Sequence, residues 1–383
     1  MRLRSITRAV QRLPAVAWDL CQATRLRGRI APNVLFYCSA AVDEQWIRTA
    51  LLECVRRGMK CALLVSDAGR LPVSAEYGAV PVFHCTPLLL RLVQCRVLVT
   101  ASSGIPRKAM PAGCRHRVHM PHSLVSLHMI YPSDAFDAYD HIFCCGEHHV
   151  SEVAAMNALR SLPARRAARV GYGKLDTLAK EYAATLDADA TLETVVVAPS
   201  WGKGNILETI GEHLVAELLD AGYHVVVRPH PAFFSSGAKT LRKLETRFGP
   251  EQRFEIEQPQ LSNRSLLTAD AMVSDYSGVA LEYAFLRLRP VVFVDVPKKV
   301  LNADWEELGI LPSELALRER LGTLTPPDAA AVSSAVRQSI LTAEKWVPAI
   351  GALRERYVFS FGSCGPAAAD EIARLLAQGE QAE

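Results

Sequence analysis

The fold is decided by one stretch, Asp270-Ala-Met-Val-Ser-Asp-Tyr-Ser-Gly278, and by the apolar segments Val279–Leu288 and Val291–Val296 that follow it. Ala271–Val273 reads as the end of a strand, Val279–Leu288 has helical spacing, and Val291–Val296 reads as a second buried strand. The polar cluster lies where the first N–H groups of a helix have no intrahelical partner and favour an anion. The stretch therefore predicts a strand–loop–helix–strand unit whose loop either binds an anion or only caps the helix.

Length and composition limit what the rest of the chain can be. At 383 residues the chain exceeds a usual single core, so two domains are expected. A formal charge of +3 gives no case for general nucleic-acid binding. Most cysteines lie inside apolar runs, which favours free thiols in a reducing compartment. No run of about 18 apolar residues occurs, so a membrane-spanning helix is not expected.

Residues 1–30 form a basic segment in which arginines alternate with apolar side chains, for example Arg4, Ile6, Arg8 and Val10. The apolar patch within it is too short for a secretory signal. The pattern predicts either a basic amphipathic segment at an anionic membrane surface or a solvated helix packed on the first domain. We therefore expect a cytoplasmic protein, with peripheral contact at the inner face of the cytoplasmic membrane as one of these two alternatives.

Strands alternate with helices along the whole chain, which predicts α/β architecture with parallel sheets. One alternation runs over residues 31–186 and a second over residues 187–383, with the joint placed near Asp187–Ala190. The sequence thus predicts two Rossmann-like, doubly wound domains facing a cleft, with the last helix, Pro366–Leu376, crossing back onto the first domain. Ligands in such sheets bind beyond the carboxyl ends of the strands.

Three loops at predicted strand ends of the second domain carry groups suited to a phosphate ligand. Glycines beside Ser200 and Lys203 let the backbone approach a ligand, and prolines stiffen the loop that holds Arg228 and His230. A flexible turn and a helix cap are the structural alternatives for the first and third loops. His230 is a candidate for supporting a leaving phosphate. The candidate residues for binding a nucleotide donor are Ser200, Lys203, Arg228, Ser274, Asp275, Ser277, Gly278 and Glu282.

The first domain offers His122, at the end of the strand predicted over Arg117–Met120. An imidazole at this place is suited to act as a general base on an acceptor hydroxyl, and the alternative is a capping or structural histidine. The other histidines are too scattered for a metal site, so the sequence predicts neither a metal nor a cofactor.

These motifs resemble the CDP-glycerol glycerophosphotransferase family, which builds teichoic-acid-type and capsule polymers on a GT-B fold. The resemblance runs over roughly residues 115–300 and rests on Arg228-Pro-His-Pro231, Ser274–Gly278 with Glu282, Ala198–Trp201, Gly171–Asp176 and the His122 loop. It implies transfer of glycerol phosphate from CDP-glycerol to a hydroxyl of a glycan, lipid-linked or polymer acceptor, with release of CMP. In that scheme residues 31–186 hold the acceptor and His122 is the base. Residues 187–383 hold the donor, whose diphosphate is bound by His230 and Ser274–Ser277.

The chain departs from the family pattern at His122-Ser-Leu-Val125, at Gly278 and at Glu282. The family has a His-Gly-Thr-Pro-type loop at the first place, a second Ser at the second and an Asp at the third. A Glu at the last position also resembles sugar-nucleotide GT-B transferases and UDP-sugar 2-epimerases. These departures leave three alternatives open: another polyol phosphate donor, a sugar-nucleotide enzyme, or a non-catalytic nucleotide-binding protein of a polymer-export system.

Overall fold

The structure is a computed structural model that describes residues 24, 32–66, 75–78, 80–84, 86–160, 163–185, 193–258 and 262–378. Apart from Thr24, the predicted basic segment 1–30 lies outside the described residues, as does the predicted joint Asp187–Ala190. None of the helices in the described part of the chain has the length and hydropathy needed to cross a membrane.

The described residues form thirteen short strands, and six of them are buried along their whole length, as expected for parallel sheets covered on both faces. In chain order they are β1 Val34–Cys38, β2 Cys61–Val65, β3 Val82–His84, β4 Val97–Thr100, β5 His116–His119, β6 His141–Cys144, β7 Arg166–Arg169, β8 Thr194–Ala198, β9 His224–Val227, β10 Phe254–Ile256, β11 Ala271–Ser274, β12 Val291–Val294 and β13 Gly322–Thr325.

Helices connect nearly all of these strands. In chain order the α-helices are α1 Glu44–Arg56, α2 Glu147–Leu159, α3 Gly173–Ala183, α4 Ile206–Thr209, α5 Gly211–Asp220, α6 Phe233–Ser236, α7 Ala238–Phe248, α8 Arg264–Thr268, α9 Gly278–Arg287, α10 Ser313–Ala316, α11 Arg318–Leu321, α12 Ala329–Leu341, α13 Ala343–Tyr357 and α14 Cys364–Gln378. Short 3-10 helices occur at Ala41–Asp43, Ala75–Tyr77, Pro87–Leu92, Arg107–Ala109 and Trp305–Leu308.

The first compact unit comprises the described parts of Met1–His122, Pro132–Lys174 and Phe359–Glu383. Its sheet has the order β3-β2-β1-β4-β5-β6-β7, and every pair is parallel. Helices α1 and α14 pack on one another, and both contribute to the core beside β1. The strand order reverses between β1 and β4, so the segments after β1, β4 and β5 share the edge where such sheets bind ligands.

The second unit comprises Ser123–Tyr131 and Leu175–Val358, of which the structure describes all but residues 186–192 and 259–261. Its sheet has the order β10-β9-β8-β11-β12-β13, again with every pair parallel. The order reverses between β8 and β11. The loops after β9, β8, β11 and β12 therefore leave the carboxyl edge side by side, and three of them are the loops singled out in the sequence.

The predicted class, α/β with two parallel sheets, agrees with the structure. The strands predicted over Arg117–Met120, Ala271–Val273 and Val291–Val296 lie within two residues of their observed bounds. Two strands were not predicted. One is β7, whose sequence Arg166-Ala-Ala-Arg169 has little strand character. β13 at Gly322–Thr325 is half exposed and begins with a glycine. Residues Leu175–Val358 belong to the second unit, whereas the sequence places the joint near residue 187.

Candidate active site

His122 follows β5 on the carboxyl edge of the first sheet, and its hydrogen bond defines its tautomer. The ring Nδ1 lies 3.1 Å from the carbonyl oxygen of Ala101. A carbonyl oxygen only accepts, so Nδ1 carries the proton and Nε2 keeps the lone pair. Burial lowers the pKa of His122 below 6.5, against the opposing effects of Ala101 and Asp43. The imidazole is therefore neutral near neutral pH, the state that a general base requires.

The Gly171-Tyr-Gly173 motif supports the backbone at His122. The hydroxyl of Tyr172 donates to the carbonyl oxygen of His122 at 3.0 Å and accepts from Nε1 of Trp46 at 3.1 Å. The Trp46 ring also contacts the His122 ring, with centroids 5.2 Å apart. Gly171 has φ +108°, and a Cβ there would lie 2.1 Å from the carbonyl oxygen of Phe359, so only glycine fits. This motif, read in the sequence as part of the family signature, thus positions the candidate base.

A carboxylate stands near His122 on the same sheet edge. One oxygen of Asp43 accepts from the backbone N–H of Ser39 at 2.8 Å and from the hydroxyls of Ser39 at 2.8 Å and Ser102 at 2.9 Å. These donors hold the charge in place, and its field favours the protonated form of His122. A fixed negative charge beside a base stabilises the imidazolium that forms when the base takes a proton.

In the second unit Asp275 joins two of the predicted loops. Its carboxylate accepts from the backbone N–H of Ser200 at 2.7 Å and of Tyr276 at 2.6 Å. Asp275 is 1% exposed, and burial raises its pKa. The hydroxyl of Ser274 donates to the carbonyl oxygen of Ala198 at 2.6 Å, which makes a second link between the same loops. The structure thus brings Ser200, Ser274 and Asp275 together, with Asp275 bonded to Ser200 and Ser274 bonded to the backbone of Ala198. Their roles as donor contacts stay predictions.

His230 presents the opposite tautomer to His122. Its Nδ1 accepts from the backbone N–H of Ala232 at 3.2 Å, so in the neutral ring the proton is on Nε2. The ring is half-buried and lies 6.4 Å from the Trp201 ring, centroid to centroid. An Nε2–H on a stiff loop at a sheet edge is a suitable donor to a phosphate oxygen.

Arg228 is buried, and its guanidinium is bonded within the protein. Its guanidinium forms a buried ion pair with Glu257 and donates to the carbonyl oxygen of Ser262 at 2.7 Å. Burial acts against ionisation of Glu257, yet Arg228 and two serine hydroxyls hold its pKa below the ordinary value. These contacts anchor the loop that carries His230, and the phosphate contact of Arg228 stays a prediction.

The remaining predicted residues lie around the first turn of α9. Ser277 is the N-cap residue, half-buried, and its side chain caps no helix N–H. Gly278 packs against Ser123, the residue after His122: a Cβ on Gly278 would lie 2.1 Å from the Ser123 hydroxyl oxygen. Glu282, one turn further into α9, is 3% exposed, while Lys203 is exposed on the loop after β8.

One cation of this edge was missed by the sequence reading. Lys299 follows β12, the neighbour of β11 in the sheet, and its ammonium lies over the Trp201 ring. The available signal was its place just beyond a predicted strand end. However, two consecutive lysines after a proline are typical of an exposed loop. No rule of sequence spacing relates Lys299 to Trp201. The described residues contain no group of three or more metal-ligating side chains that could hold an ion.

Residues 131–299 match the model of a family described as CDP-Glycerol:Poly(glycerophosphate) glycerophosphotransferase. The matched range contains β8, β9 and β11 with their loops and ends at Lys299, whereas His122 precedes it. The match confirms the family resemblance predicted from the motifs, and with it the prediction of a glycerophosphotransferase-type enzyme. Comparison with curated protein sequences finds no match.

Several solved structures are similar to this chain. The wall teichoic acid polymerase TagF has a TM-score of 0.61 at 13% identity, over 98% of each chain. The UDP-GlcNAc 2-epimerase of Methanocaldococcus jannaschii has a TM-score of 0.59 at 10% identity, over 90% of this chain and 99% of that one. S. aureus MnaA has a TM-score of 0.57 at 11% identity, over 91% and 97%. At these identities the likeness shows the fold alone, and it confirms the predicted GT-B-like architecture.

Proposed function

From the match of residues 131–299 to the glycerophosphotransferases, we propose that the chain transfers glycerol phosphate, or a related polyol phosphate, from a CDP-activated donor. The acceptor is a hydroxyl of a glycan, lipid-linked or polymer molecule, and CMP is released. The loops after β8, β9 and β11 bind the donor, and His122 acts on the acceptor.

One observation carries the proposal beyond the family match: the two candidate histidines are held in opposite tautomers. His122 donates from Nδ1 and keeps its lone pair on Nε2, whereas His230 accepts at Nδ1 and carries its proton on Nε2. The first arrangement suits a base that takes a proton. The second suits a donor that stabilises negative charge on a phosphate. A phosphoryl transfer needs both.

The proposed reaction balances without a cofactor. His122 Nε2 takes the proton of the acceptor hydroxyl while the oxygen attacks the β-phosphorus of the donor. The bond from that phosphorus to the bridging oxygen breaks, and CMP leaves with the electron pair. His230 Nε2–H and the N-terminus of α9 at Ser277 and Gly278 stabilise the charge that develops. Catalysis of this kind depends mainly on positioning and electrostatics.

A sugar-nucleotide enzyme remains the second candidate, because Glu282 stands where the family has an Asp and the fold is shared with a UDP-GlcNAc 2-epimerase. The two proposals differ in the bond that breaks. Glycerophosphate transfer releases a nucleoside monophosphate, whereas glycosyl transfer releases a nucleoside diphosphate. The family match favours the first.

The test measures CMP release from CDP-glycerol with glycan and lipid-linked acceptors, using wild type, His122→Asn and the control His213→Asn. His213 is exposed on α5. We expect His122→Asn to lower kcat on the order of 10²- to 10⁴-fold while nucleotide binding persists, and the control to be unchanged. Because the pKa of His122 is lowered below 6.5, the acidic limb of the wild-type rate profile should lie below that pH. Turnover of UDP-sugars but not of CDP-glycerol would overturn the proposal, and full activity of His122→Asn would remove His122 as the base.

A further inference from the structure

Lys299 lies on the carboxyl edge of the second sheet, in the loop after β12. The sheet order β9-β8-β11-β12 makes this loop the next neighbour of the three predicted donor loops. Sequence spacing separates Lys299 from Trp201 by almost a hundred residues, yet the parallel register brings their loops to the same edge. The loop is thus placed to contribute to whatever the other three loops bind.

The Lys299 ammonium is packed rather than solvated. Its Nζ lies 3.0 Å from the centroid of the Trp201 ring, and the same ring contacts His230. Gly202 has φ +99°, a conformation that favours glycine, and a Cβ there would lie 3.8 Å from Lys299 Cε, at van der Waals contact. Pro297 packs in the same way against Gly204. The loop after β8 and the loop after β12 therefore form one surface around the ammonium.

This cation lacks a counter-ion among the described residues, since no carboxylate there lies within ion-pair distance of it. Burial lowers the pKa of Lys299 to about 6, and Asp275 opposes that effect only in part. The other charged groups of the neighbouring loops do not neutralise it. Lys203 is a like charge exposed to solvent, and Asp295 is held by Arg318 at 3.0 Å. A half-buried lysine amine without a counter-ion favours the binding of an anion, because the anion would stabilise its charged form.

We propose that Lys299 binds the diphosphate of the nucleotide donor and takes up a proton from solvent when the donor binds. The inference rests on the proposed function, because it names a further donor contact of the same site. In the free protein the amine is largely neutral at pH 8 and packs on Trp201. The bound diphosphate supplies the missing negative charge, so the ammonium form becomes the stable one.

Proton uptake makes donor affinity depend on pH. Above pH 6 each unit weakens binding by up to about tenfold, until the pH passes the pKa of Lys299 in the complex. A diphosphate diester such as CDP-glycerol has no group of its own that titrates near neutral pH. The predicted dependence therefore belongs to the protein.

The test is calorimetric titration of CDP-glycerol at pH 8, in buffers of different ionisation enthalpy, with no acceptor present. Wild type should take up close to one proton. Lys299→Met should bind on the order of 10- to 100-fold more weakly with no uptake. Lys299→Arg should restore affinity without uptake, because a guanidinium is always protonated. The matched control is Lys298→Met, an exposed neighbour that should behave as wild type, and a thermal melt checks that each variant is folded.

The outcomes separate this inference from the proposed function. Equal affinity and equal proton uptake in wild type and Lys299→Met overturn the role of Lys299 alone. If wild type does not bind CDP-glycerol but binds UDP-GlcNAc with uptake that requires Lys299, the proposed function fails and the diphosphate contact stands. If wild type binds neither nucleotide, both are overturned.

Discussion

Gly278 stands where the family pattern has a second serine, and the structure gives a physical reason for the change. A Cβ added to Gly278 would lie 2.1 Å from the Ser123 hydroxyl oxygen, 3.4 Å from Ser123 Cβ and 3.5 Å from Val125 Cγ1. Gly278→Ala must therefore displace Ser123, the residue directly after His122. The substitution tests whether this segment packs on the first turn of α9.

The free-energy cost of Gly278→Ala comes from the contacts that Ser123 loses when its side chain moves. Turning its hydroxyl aside loses the contact with the Val125 N–H at 3.4 Å, and a strained rotamer costs about 0.5–1.5 kcal/mol. Overpacking in general costs about 1–3 kcal/mol, while replacing a helical glycine by alanine returns up to about 1 kcal/mol. We expect Gly278→Ala to lower the free energy of unfolding by about 1–2 kcal/mol.

A double-mutant cycle by urea unfolding isolates the contact. In Ser123→Ala the hydroxyl is absent, so adding Gly278→Ala should cost about 1 kcal/mol less than it does in wild type. Gly351→Ala is the matched control, because a Cβ there meets nothing within 4 Å in helix α13. That control should be neutral or stabilising. If Gly278→Ala and Ser123→Ala are additive within about 0.5 kcal/mol, the contact does not exist and the reasoning is refuted.

Two further predictions concern the residues that hold the loops proposed to bind the donor. Asp275→Ala should lower the free energy of unfolding by about 3 kcal/mol, because it leaves the buried N–H groups of Ser200 and Tyr276 without acceptors. Asp275→Asn keeps one acceptor oxygen and should lower it by less. Equal losses of unfolding free energy for the two variants, measured by urea unfolding, would contradict this. Glu257→Gln should lower the free energy of unfolding by about 3 kcal/mol at pH 7, because it leaves the buried Arg228 without a counter-charge. Since the pKa of Glu257 is lowered in the folded state, its stabilisation is present above the ordinary carboxyl pKa and is lost as the pH falls through the folded value. The gap between wild type and Glu257→Gln should therefore narrow in acid, and a gap independent of pH would count against the ion pair.

The sheet edge was predictable because it depends on one-dimensional signals. Buried parallel strands are short apolar runs, and β8, β9 and β11 each end at a polar or proline-containing loop visible in the sequence. Parallel pairing then brings those loops together without further information. The strands that escaped prediction, β7 and β13, lie at the outer edges of their sheets, where one side carries no neighbouring strand and the apolar signal is weak.

The direction of each side chain was not predictable. Asp275 and Arg228 carry the charges that most suggest a ligand, yet their partners are Ser200 and Glu257, which lie far away in sequence. Lys299 gave no signal of its own, because its contact with Trp201 depends on how two loops pack over adjacent strands. A motif identifies the loop that meets a ligand, but long-range packing decides which of its groups remain for that ligand.

Burial separates the polar groups of this edge into two kinds. Ser274, Asp275 and Arg228 are at most 4% exposed, and they bond to nearby backbone groups and, in the case of Arg228, also to Glu257. His230, Ser277 and Lys299 are half-buried. Water therefore competes only weakly for their polar groups, yet these groups remain accessible to a ligand. A buried carboxylate costs free energy unless it is hydrogen-bonded, so the first group must be satisfied internally. A phosphate group would satisfy the second group. We therefore propose that the half-buried residues bind the ligand and that the buried ones fix the geometry of the loops.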